Sequence, residues 1–256
     1  MPELPEVEHA RRCLQRWLLD AEVTRAFARP LVGRRVLEVT RRGKWVRVAL
    51  SEGVLLFSHL GMTGRWVRRP SSAPRERWER GRIDAGDVSA RYVDPRRFGK
   101  LVVARRDIPA WRQLGPDALE GGLDAGWLAG ELARRSRTIK EALMDQGLLA
   151  GVGNILATEA LWNARLDPRS RTDALSRTEV RAVARGLRAA IAHGLAMQDG
   201  DEAAYVQDAG AGNPFRVYGR AGEACTRCGV TLKRVVLGGR GTTFCPGCQV
   251  RRRSRA

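Results

Sequence analysis

Four of the five cysteines form two close pairs near the C-terminal end, and they limit what that end can fold into. Two residues separate Cys225 from Cys228 and Cys245 from Cys248, and sixteen residues separate the pairs. This spacing predicts two knuckles whose four thiolates bind one Zn²⁺, and disulfides or redox cysteines fit it less well. Four thiolates leave no open position for water, so the zinc ion is predicted to be structural. The fifth cysteine, Cys13, is predicted to be a small buried apolar residue.

The chain is strongly basic. It has 46 Lys and Arg against 28 Asp and Glu, a formal net charge of +18. Such an excess indicates a polyanionic partner, most readily nucleic acid, although an arginine-rich genome explains part of it. Residues 215–256 hold ten basic residues and one acid, which indicates that the zinc module faces phosphates. We expect no membrane span and no secretory signal, and therefore a cytoplasmic protein.

The N-terminal residues combine a nucleophile with a proton carrier. A second residue as small as Pro2 allows removal of Met1, which leaves a secondary amine with a pKa of about 8. Such an amine can attack an aldehyde-like carbon and form an iminium ion, and the carboxyl group of Glu3 can move protons beside it. The alternative is an ordinary helix start, because Pro5 suits a first helical turn and Glu6 complements its positive end.

The N-terminal part has the pattern of a β-sandwich or a barrel-like pair of sheets. Short β-like runs are separated by glycine and charged residues between residue 23 and about residue 105. The predicted strands are residues 35–40, 44–50, 54–60, 64–68, 91–93 and 101–104. The polar residues 70–86 predict an exposed connection, and the Pro- and Gly-containing residues 108–122 predict a linker.

After this linker the apolar residues recur with a helical period. The first predicted helix is residues 123–135, and three more follow with recognisable caps, namely Thr138 with Glu141, Asn154, and Ser176 with Glu179. Residues 199–214 predict a mobile loop. The sequence therefore predicts an α+β multidomain protein with domains 1–110, 111–214 and 215–256.

Four short segments can contact a nucleic acid. The turn Gly151-Val-Gly-Asn154 directs backbone amides to one point and predicts a phosphate site, although a plain turn between helices is the alternative. Met62 and Phe98 lie in Gly-containing loops and are candidates for insertion into a base stack, although such residues also occur in cores. Lys44 follows two arginines at a strand start and has the alternative of an ordinary surface lysine.

Together these stretches resemble the formamidopyrimidine-DNA glycosylase and endonuclease VIII family of DNA repair enzymes. The resemblance covers nearly the whole chain and is carried by PELPEVE, RRGKW, HLGMTG, DPRRFG, MDQGLLAGVGNILATEAL, VYGRAGEACTRCG and FCPGC. PELPEVE, HLGMTG and DPRRFG are closer to the formamidopyrimidine branch. The resemblance implies an N-terminal β-sandwich with a leading helix, an all-α helix-two-turn-helix domain and a C-terminal zinc ribbon.

The resemblance also implies a bifunctional DNA glycosylase and AP lyase of base excision repair. Pro2 would attack C1′ of a flipped deoxynucleotide, Glu3 would act as proton donor and shuttle, and Glu6 would support the helix end and the polarity of the site. Lys44 matches a phosphate contact with an assigned proton-donor role. Arg240 matches an arginine that binds the phosphates flanking the lesion and assists the second of two eliminations.

The partner implied by the resemblance is double-stranded damaged DNA, with the protein monomeric, without an obligate protein partner and associated with the nucleoid in use. Lys140 and Asn154 match phosphate ligands of the helix-two-turn-helix domain. Met62, Arg96 and Phe98 match the residues that fill the void left by the flipped nucleotide, with Arg96 facing the orphaned base.

The chain departs from the pattern of the formamidopyrimidine branch in several places. Residues 75–80 read RERWER, without the usual histidine, and Ser136 replaces a frequent basic residue. The loop 197–214 is shorter than usual and lacks the Gly-Tyr-Phe ending, and Gly239 replaces a common glutamine. These changes concern DNA binding and base choice and leave the chemistry of Pro2 and Glu3 intact.

The sequence is therefore compatible with three functions. The first is removal of oxidised purines such as 8-oxoguanine and formamidopyrimidines. The second keeps the same chemistry on oxidised pyrimidines or abasic sites, because the loop that would cover the base is altered. The third, of another class, is a damaged-DNA binding protein without catalysis, which the intact Pro2, Glu3, Lys44 and Arg240 disfavour.

Overall fold

The computed structural model describes residues 2–121, 123–205, 208, 210 and 212–254. The chain divides into two compact units. One consists of Met1–Gln113 with Gly194–Ala211, and the other consists of Leu114–His193 with Gly212–Ala256. Within the described part of the chain, no helix has the length and apolar character needed to cross a bilayer. The predicted α+β architecture is confirmed.

The first unit begins with helix α1, Leu4–Leu18. Its apolar face is buried in one core with residues from both sheets of the unit, and Cys13 belongs to this core, as predicted. The first turn of the helix contains Pro5, which lacks a backbone N–H and therefore leaves no donor unpaired there. The core thus fixes the position of the residues that precede the helix.

Two four-stranded antiparallel sheets follow. The strands are β1 (Arg25–Ala26), β2 (Val36–Arg42), β3 (Trp45–Leu50), β4 (Val54–His59), β5 (Arg65–Pro70), β6 (Glu79–Ala85), β7 (Val88–Val93) and β8 (Lys100–Ala104). One sheet has the order β1-β6-β7-β5 and the other β2-β3-β4-β8. The predicted β-sandwich with a leading helix is therefore present, and the six predicted strands are found with shifted ends.

One sequence prediction in this unit was wrong. Residues 70–86 were predicted to be an irregular connection, yet they contain the end of β5 and all of β6. The sequence pattern did not reveal β6 because the strand contains buried polar residues. Asp84 is buried beside Arg25 and Arg82 at N–O distances of 2.7 Å. The predicted linker 108–122 contains the short helix α2, Pro109–Arg112, whose Trp111 packs edge-on against Phe57 at 5.5 Å.

The predicted mobile loop 199–214 falls partly outside the described residues. Three of its described acidic residues pair with arginines of the first unit: Asp201 with Arg16 at 2.7 Å, Glu202 with Arg69 at 2.8 Å, and Asp208 with Arg65 at 2.5 Å. Tyr205 is buried and donates its hydroxyl hydrogen to the Gly64 carbonyl oxygen.

The second unit is helical. Its helices are α3 (Ala125–Ala133), α4 (Ile139–Met144), α5 (Asn154–Asn163) and α6 (Arg177–Ala196), the last of which continues beyond the unit. The capping boxes predicted at Thr138 and Ser176 are confirmed by reciprocal hydrogen bonds with Glu141 and Glu179. One predicted cap was wrong, because Gly153 is the N-cap of α5 and Asn154 is its first residue. The Asn154 side chain is thereby free to bond elsewhere.

The second unit also contains a two-stranded antiparallel hairpin, β9 (Lys233–Leu237) and β10 (Arg240–Phe244). Gly238 and Gly239 connect the strands, and both have positive φ, 53° and 70°. A two-residue hairpin turn with positive φ at both positions favours glycine. The glycine found here in place of a glutamine therefore suits the turn that precedes Arg240.

Candidate active site and nucleic-acid-binding residues

Pro2 and Glu3 are buried directly before α1. Glu3 is the N-cap residue, and its side chain accepts a hydrogen bond from the backbone N–H of Glu6. In return, Glu6 Oε2 accepts the backbone N–H of Glu3 at 2.8 Å. This reciprocal capping box holds the two carboxyl groups and the residue that precedes them in one conformation.

The environment of Glu6 favours its protonated form. The pKa of Glu6 is raised from 4.5 to about 7, mainly by burial and also by the nearby Glu3 carboxylate, while the hydrogen bond from the Glu3 N–H opposes this rise. A carboxyl group that titrates near neutral pH can give or take a proton at working pH. The sequence motif indicated only a supporting role for Glu6. Its raised pKa could not be predicted from the motif, because it depends on burial in the folded protein.

A buried ion pair connects α1 to the turn that carries Lys44. The Arg41 side chain is fully buried and donates from Nε to Glu8 Oε2 at 3.1 Å. The same guanidinium donates to the Gly43 carbonyl oxygen at 3.0 Å. Lys44 follows in the two-residue turn between β2 and β3, where Gly43 has a φ of 58°. Glu8 and Arg41 are positioning residues that the sequence analysis did not single out.

Tyr205 lies next to Glu6 inside the first unit. Burial raises the pKa of the Tyr205 hydroxyl well above 10, the nearby Arg65 charge lowers it, and the charge of Glu6 raises it. The Arg65 guanidinium covers the Tyr205 ring at 4.5 Å and also pairs with Asp208. The described part of the loop 197–214 therefore contributes a buried aromatic residue to the surroundings of the capping box.

The loops of Met62 and Phe98 lie against each other. A Cβ on Gly61, which has a φ of +64°, would lie 2.5 Å from backbone atoms of Phe98 and Gly99. Thr63 also donates its hydroxyl hydrogen to Asp94 Oδ1 at 2.6 Å. Met62 and the 94–99 loop thus form one surface, because the two backbones are in direct contact.

Asp94 is the buried anchor of the second loop. Its Oδ2 accepts the Gly99 N–H at 2.8 Å and its Oδ1 accepts the Arg96 N–H at 3.3 Å. The loop therefore closes around the carboxylate and presents Arg96 and Phe98 outward, with the guanidinium 5.0 Å from the centre of the Phe98 ring. Phe98 is 53 % exposed, so it is not a core residue. An exposed aromatic ring on a fixed loop suits insertion into a base stack.

His59, at the end of β4, is held neutral beside this surface. Burial, together with the positive charges of Lys44 and Lys100, lowers the pKa of His59 to about 4. Its Nδ1 accepts the Gly61 N–H at 3.0 Å. A neutral imidazole that accepts at Nδ1 carries its hydrogen on Nε2.

In the second unit, Lys140 and Asn154 form a buried cluster. Lys140 Nζ donates to the oxygen atoms of Asn154, Thr158 and Thr242 at 2.7, 2.8 and 2.9 Å. Asn154 Nδ2 donates to the Gly241 carbonyl oxygen at 3.1 Å. Lys140 is fully buried and uses all three N–H groups inside the protein, so the direct phosphate contact predicted for it would require these bonds to break.

The four paired cysteines converge within the second unit. The sulfur atoms of Cys225, Cys228, Cys245 and Cys248 all lie within 4.8 Å of one another. Four thiolate donors at this spacing fit a tetrahedral zinc ion and leave no position for a reactant. The zinc would therefore hold the two knuckles together, and Arg240, the exposed first residue of β10, lies on the hairpin between them.

A buried carboxylate anchors the segment that leads into the zinc module. Glu159 of α5 accepts the backbone N–H groups of Arg216, Val217 and Tyr218 at distances between 2.8 and 3.0 Å. Trp162, one turn further along α5, packs in the same apolar cluster as Cys225 and Cys245. Helix α5 thus carries Asn154 at its start and supports the zinc module near its end.

Comparison with known proteins identifies the family. The N-terminal domain of formamidopyrimidine-DNA glycosylase matches residues 1–101, its H2TH domain matches residues 114–204, and the zinc finger found in FPG and IleRS matches residues 222–250. The formamidopyrimidine-DNA glycosylase of Thermus thermophilus is 40 % identical over 97 % of this chain and 98 % of its own length. The chain belongs to the formamidopyrimidine-DNA glycosylase family. It is therefore a DNA glycosylase of base excision repair with AP lyase activity, as the sequence predicted.

Solved structures of the family have the same fold. The crystal structure of the MutM (Fpg) protein from Thermus thermophilus superposes with a TM-score of 0.83 at 38 % identity and covers 97 % of this chain and 98 % of that chain. The complex between Lactococcus lactis Fpg and DNA containing an abasic site superposes with a TM-score of 0.85 at 27 % identity and covers 97 % and 99 %. The family also accounts for the four-cysteine zinc site, which is structural.

Proposed function

We propose that this glycosylase removes oxidised purines, 8-oxoguanine and formamidopyrimidines, from double-stranded DNA through a Schiff base on Pro2. The observation that carries the proposal is the burial of Pro2 and Glu3 at a capped helix start, beside a Glu6 whose pKa is raised to about 7. Pro2 becomes the terminal amine once Met1, which lies outside the described residues, is removed.

In the first stage, the Pro2 nitrogen replaces the damaged base at C1′ of the sugar. The Pro2 nitrogen forms a bond to C1′ of the flipped nucleotide while the bond from C1′ to the base breaks. The base leaves with the bonding electron pair and takes up a proton, and Glu3 is the carboxyl group placed to move protons at the sugar. Glu6 supports this role, because its hydrogen bond to the Glu3 backbone fixes the helix end.

The second stage cuts the strand. The Pro2 nitrogen loses its proton, the bond from C1′ to the ring oxygen O4′ breaks while O4′ takes up a proton, and an iminium ion forms between Pro2 and C1′. The iminium ion withdraws electrons, so the C2′ proton is lost and the bond from C3′ to the phosphate oxygen breaks. A further elimination takes the C4′ proton and breaks the bond from C5′ to its phosphate oxygen. Lys44 and Arg240 are the cations proposed to hold these phosphates.

The remaining proposed contacts bind and distort the DNA. Met62 and Phe98 fill the void of the flipped nucleotide, and Arg96 faces the orphaned base; the contact between their two loops supports a joint role. Asn154 binds a backbone phosphate at the start of α5. Lys140 acts there through Asn154, whose side-chain oxygen it occupies.

Borohydride trapping tests the chemistry, with duplexes that carry 8-oxoguanine, a formamidopyrimidine, 5-hydroxycytosine or an abasic site, one lesion each. We expect a covalent adduct with the first two and with the abasic duplex, and loss of every adduct with Pro2→Gly. N-terminal mass analysis of the same protein verifies that Met1 is absent. The absence of any adduct from a processed, zinc-loaded protein would leave a damaged-DNA binding protein.

A second candidate substrate class is oxidised pyrimidines. The described residues of the loop 197–214 are held by ion pairs to Arg16, Arg65 and Arg69, and the loop is shorter than in the formamidopyrimidine branch. A loop held in this way has less freedom to close over a purine. Preferential trapping on 5-hydroxycytosine over 8-oxoguanine would assign the chain to this class.

Two further assignments are part of the proposal. We assign the catalytic, helix-two-turn-helix and zinc functions to residues 1–110, 111–214 and 215–256, respectively. We also place the protein on the nucleoid in the bacterial cytoplasm; the bacterial origin of its relatives supports this location. Limited proteolysis and cell imaging, respectively, test these two assignments.

A further inference from the structure

Trp78 is an exposed aromatic residue in an unusual backbone conformation. It lies directly before β6, its side chain is 44 % exposed, and its φ is +67°. This left-handed region favours glycine, and a bulky residue there is strained. A strained conformation that the fold maintains is a reason to look for a function at that residue.

A buried arginine binds residues 70–79, the Trp78 segment, from the interior of the protein. Arg91 of β7 is fully buried and donates to the carbonyl oxygens of Pro70 at 3.2 Å, Ala73 at 2.7 Å and Pro74. Its guanidinium also lies 3.6 Å from the Glu79 carboxylate. The segment before β6 is therefore rigid, although its outer side chains point to solvent.

The Trp78 segment adjoins the loop that carries Arg96 and Phe98. The Trp78 carbonyl oxygen accepts the Asp94 N–H at 3.0 Å, and Arg80 Nε donates to the Asp94 carbonyl oxygen at 3.3 Å. A cleft of about 340 Å³ lies beside this junction and is lined in part by Phe27, Arg80 and Arg97. The exposed indole is thus next to the proposed void-filling loop.

The charges around Trp78 fit a polyanion. The Arg77 guanidinium lies 4.6 Å from the centre of the Trp78 ring, and Arg75 and Arg77 are both exposed. The two acids of the segment are engaged by arginines, because Glu76 pairs with Arg69 at 2.5 Å and Glu79 faces Arg91. The outer surface of the segment is therefore an aromatic ring among uncompensated positive charges, as in proteins that bind unpaired nucleotides.

We propose that Trp78 stacks on an unpaired base of the strand opposite the lesion, while Arg77, Arg80 and Arg97 contact the phosphates of that strand. This inference rests on the proposed function, since it extends the DNA surface formed by Arg96 and Phe98. Stacking needs an exposed ring on a rigid support and phosphate binding needs nearby cations, and the segment supplies both.

Binding of a duplex with 2-aminopurine opposite a stable abasic analogue tests the proposal. We expect Trp78→Gly to weaken this binding by about 5- to 100-fold, the range for loss of one stacked base, and Trp78→Phe to restore most of it. Because glycine accepts a positive φ, Trp78→Gly should unfold at the same or a higher temperature than the unaltered protein. Arg77→Gln should lower the slope of log affinity against log salt by about one.

Leu37→Ala is the matched control, because Leu37 is 54 % exposed on β2 of the other sheet, and it should bind as the unaltered protein does. Unchanged binding by Trp78→Gly would overturn the proposal. So would an equal loss on a fully paired duplex, because this would indicate a general effect on DNA affinity. Borohydride trapping by the unaltered protein on an abasic duplex reports the proposed function separately, since it does not depend on Trp78.

Discussion

The Lys140 ammonium group donates a hydrogen bond to Asn154 Oδ1 across 2.7 Å and thereby fixes the orientation of the Asn154 amide. The Nδ2 group is then left as the donor end, and one of its hydrogens already bonds the Gly241 carbonyl oxygen. The third Lys140 partner, Thr242, lies on β10 two residues after Arg240. One buried charge therefore aligns the start of α5 with the zinc hairpin.

We expect Lys140→Met to lower stability and DNA affinity without changing the salt dependence of binding. The variant leaves three buried oxygen atoms without their donor, which costs about 1–3 kcal/mol each when no other partner replaces it. It removes no phosphate contact if Lys140 acts through Asn154. Arg240→Gln is the comparison, and it should lower the salt slope by about one. An equal fall in slope for Lys140→Met would establish a direct phosphate contact.

Glu6 should make stability fall as the pH rises. Its pKa is raised in the folded protein from 4.5 to about 7, so between these values the folded state holds a proton that the unfolded state has released. The proton on Glu6 adds up to about 3 kcal/mol to the free energy of unfolding below pH 4.5. This contribution is lost as the pH rises through 7. Glu6→Gln should remove this loss. Thermal unfolding of both proteins from about pH 4 to pH 8 measures it, and parallel curves would contradict the assignment.

The Glu8–Arg41 ion pair should couple helix stability to the placement of Lys44. Glu8→Met takes the carboxylate partner from the fully buried Arg41, whereas Arg41→Met leaves Glu8 paired with Arg11 and Arg12. We therefore expect Glu8→Met to lower the free energy of unfolding more than Arg41→Met does, and the double variant to lose less than the sum of the two. Urea unfolding of Glu8→Met, Arg41→Met and the double variant measures this coupling. Borohydride trapping should also slow in Arg41→Met, because the turn before Lys44 loses its anchor at Gly43. Additive losses of stability would show that the pair is not coupled.

Removal of zinc should disorder the hairpin that carries Arg240. We expect Cys245→Ser, or treatment with a strong chelator, to abolish zinc binding and to weaken DNA binding. The module is too small for a large apolar core, so its fold depends on the zinc ion and its four thiolates. Cys13→Ala is the matched control, since Cys13 is buried in the core of the first unit. It should retain one zinc ion per chain. Full DNA affinity in a zinc-free protein would contradict this account.

Local sequence patterns predicted much of the fold. The β-like runs, the capping boxes at Thr138 and Ser176 and the cysteine spacing each depend on residues close in the chain, and the structure has all of them. Strand β6 was missed because its charged residues form ion pairs with partners such as Arg25, 59 residues away from Asp84. A pattern of apolar residues does not reveal such pairs.

The site was predicted less completely than the fold, because its physical properties arise from distant contacts. The motif names Lys140, but its burial depends on Thr242, 102 residues further along the chain. Likewise, the raised pKa of Glu6 and the anchoring role of Arg41 follow from how α1 lies on the sheets. Asn154 was expected to cap α5, and it is instead free to join the Lys140 cluster because Gly153 is the cap.

The close approach of Gly61 to Phe98 and Gly99 has a mechanical consequence. Neither loop can shift without pushing on the backbone of the other, so the proposed insertion of Met62 and Phe98 into a double helix would be one joint movement. A change in what these two residues accept must therefore be made in their side chains, because a larger residue at Gly61 would force the two loops apart.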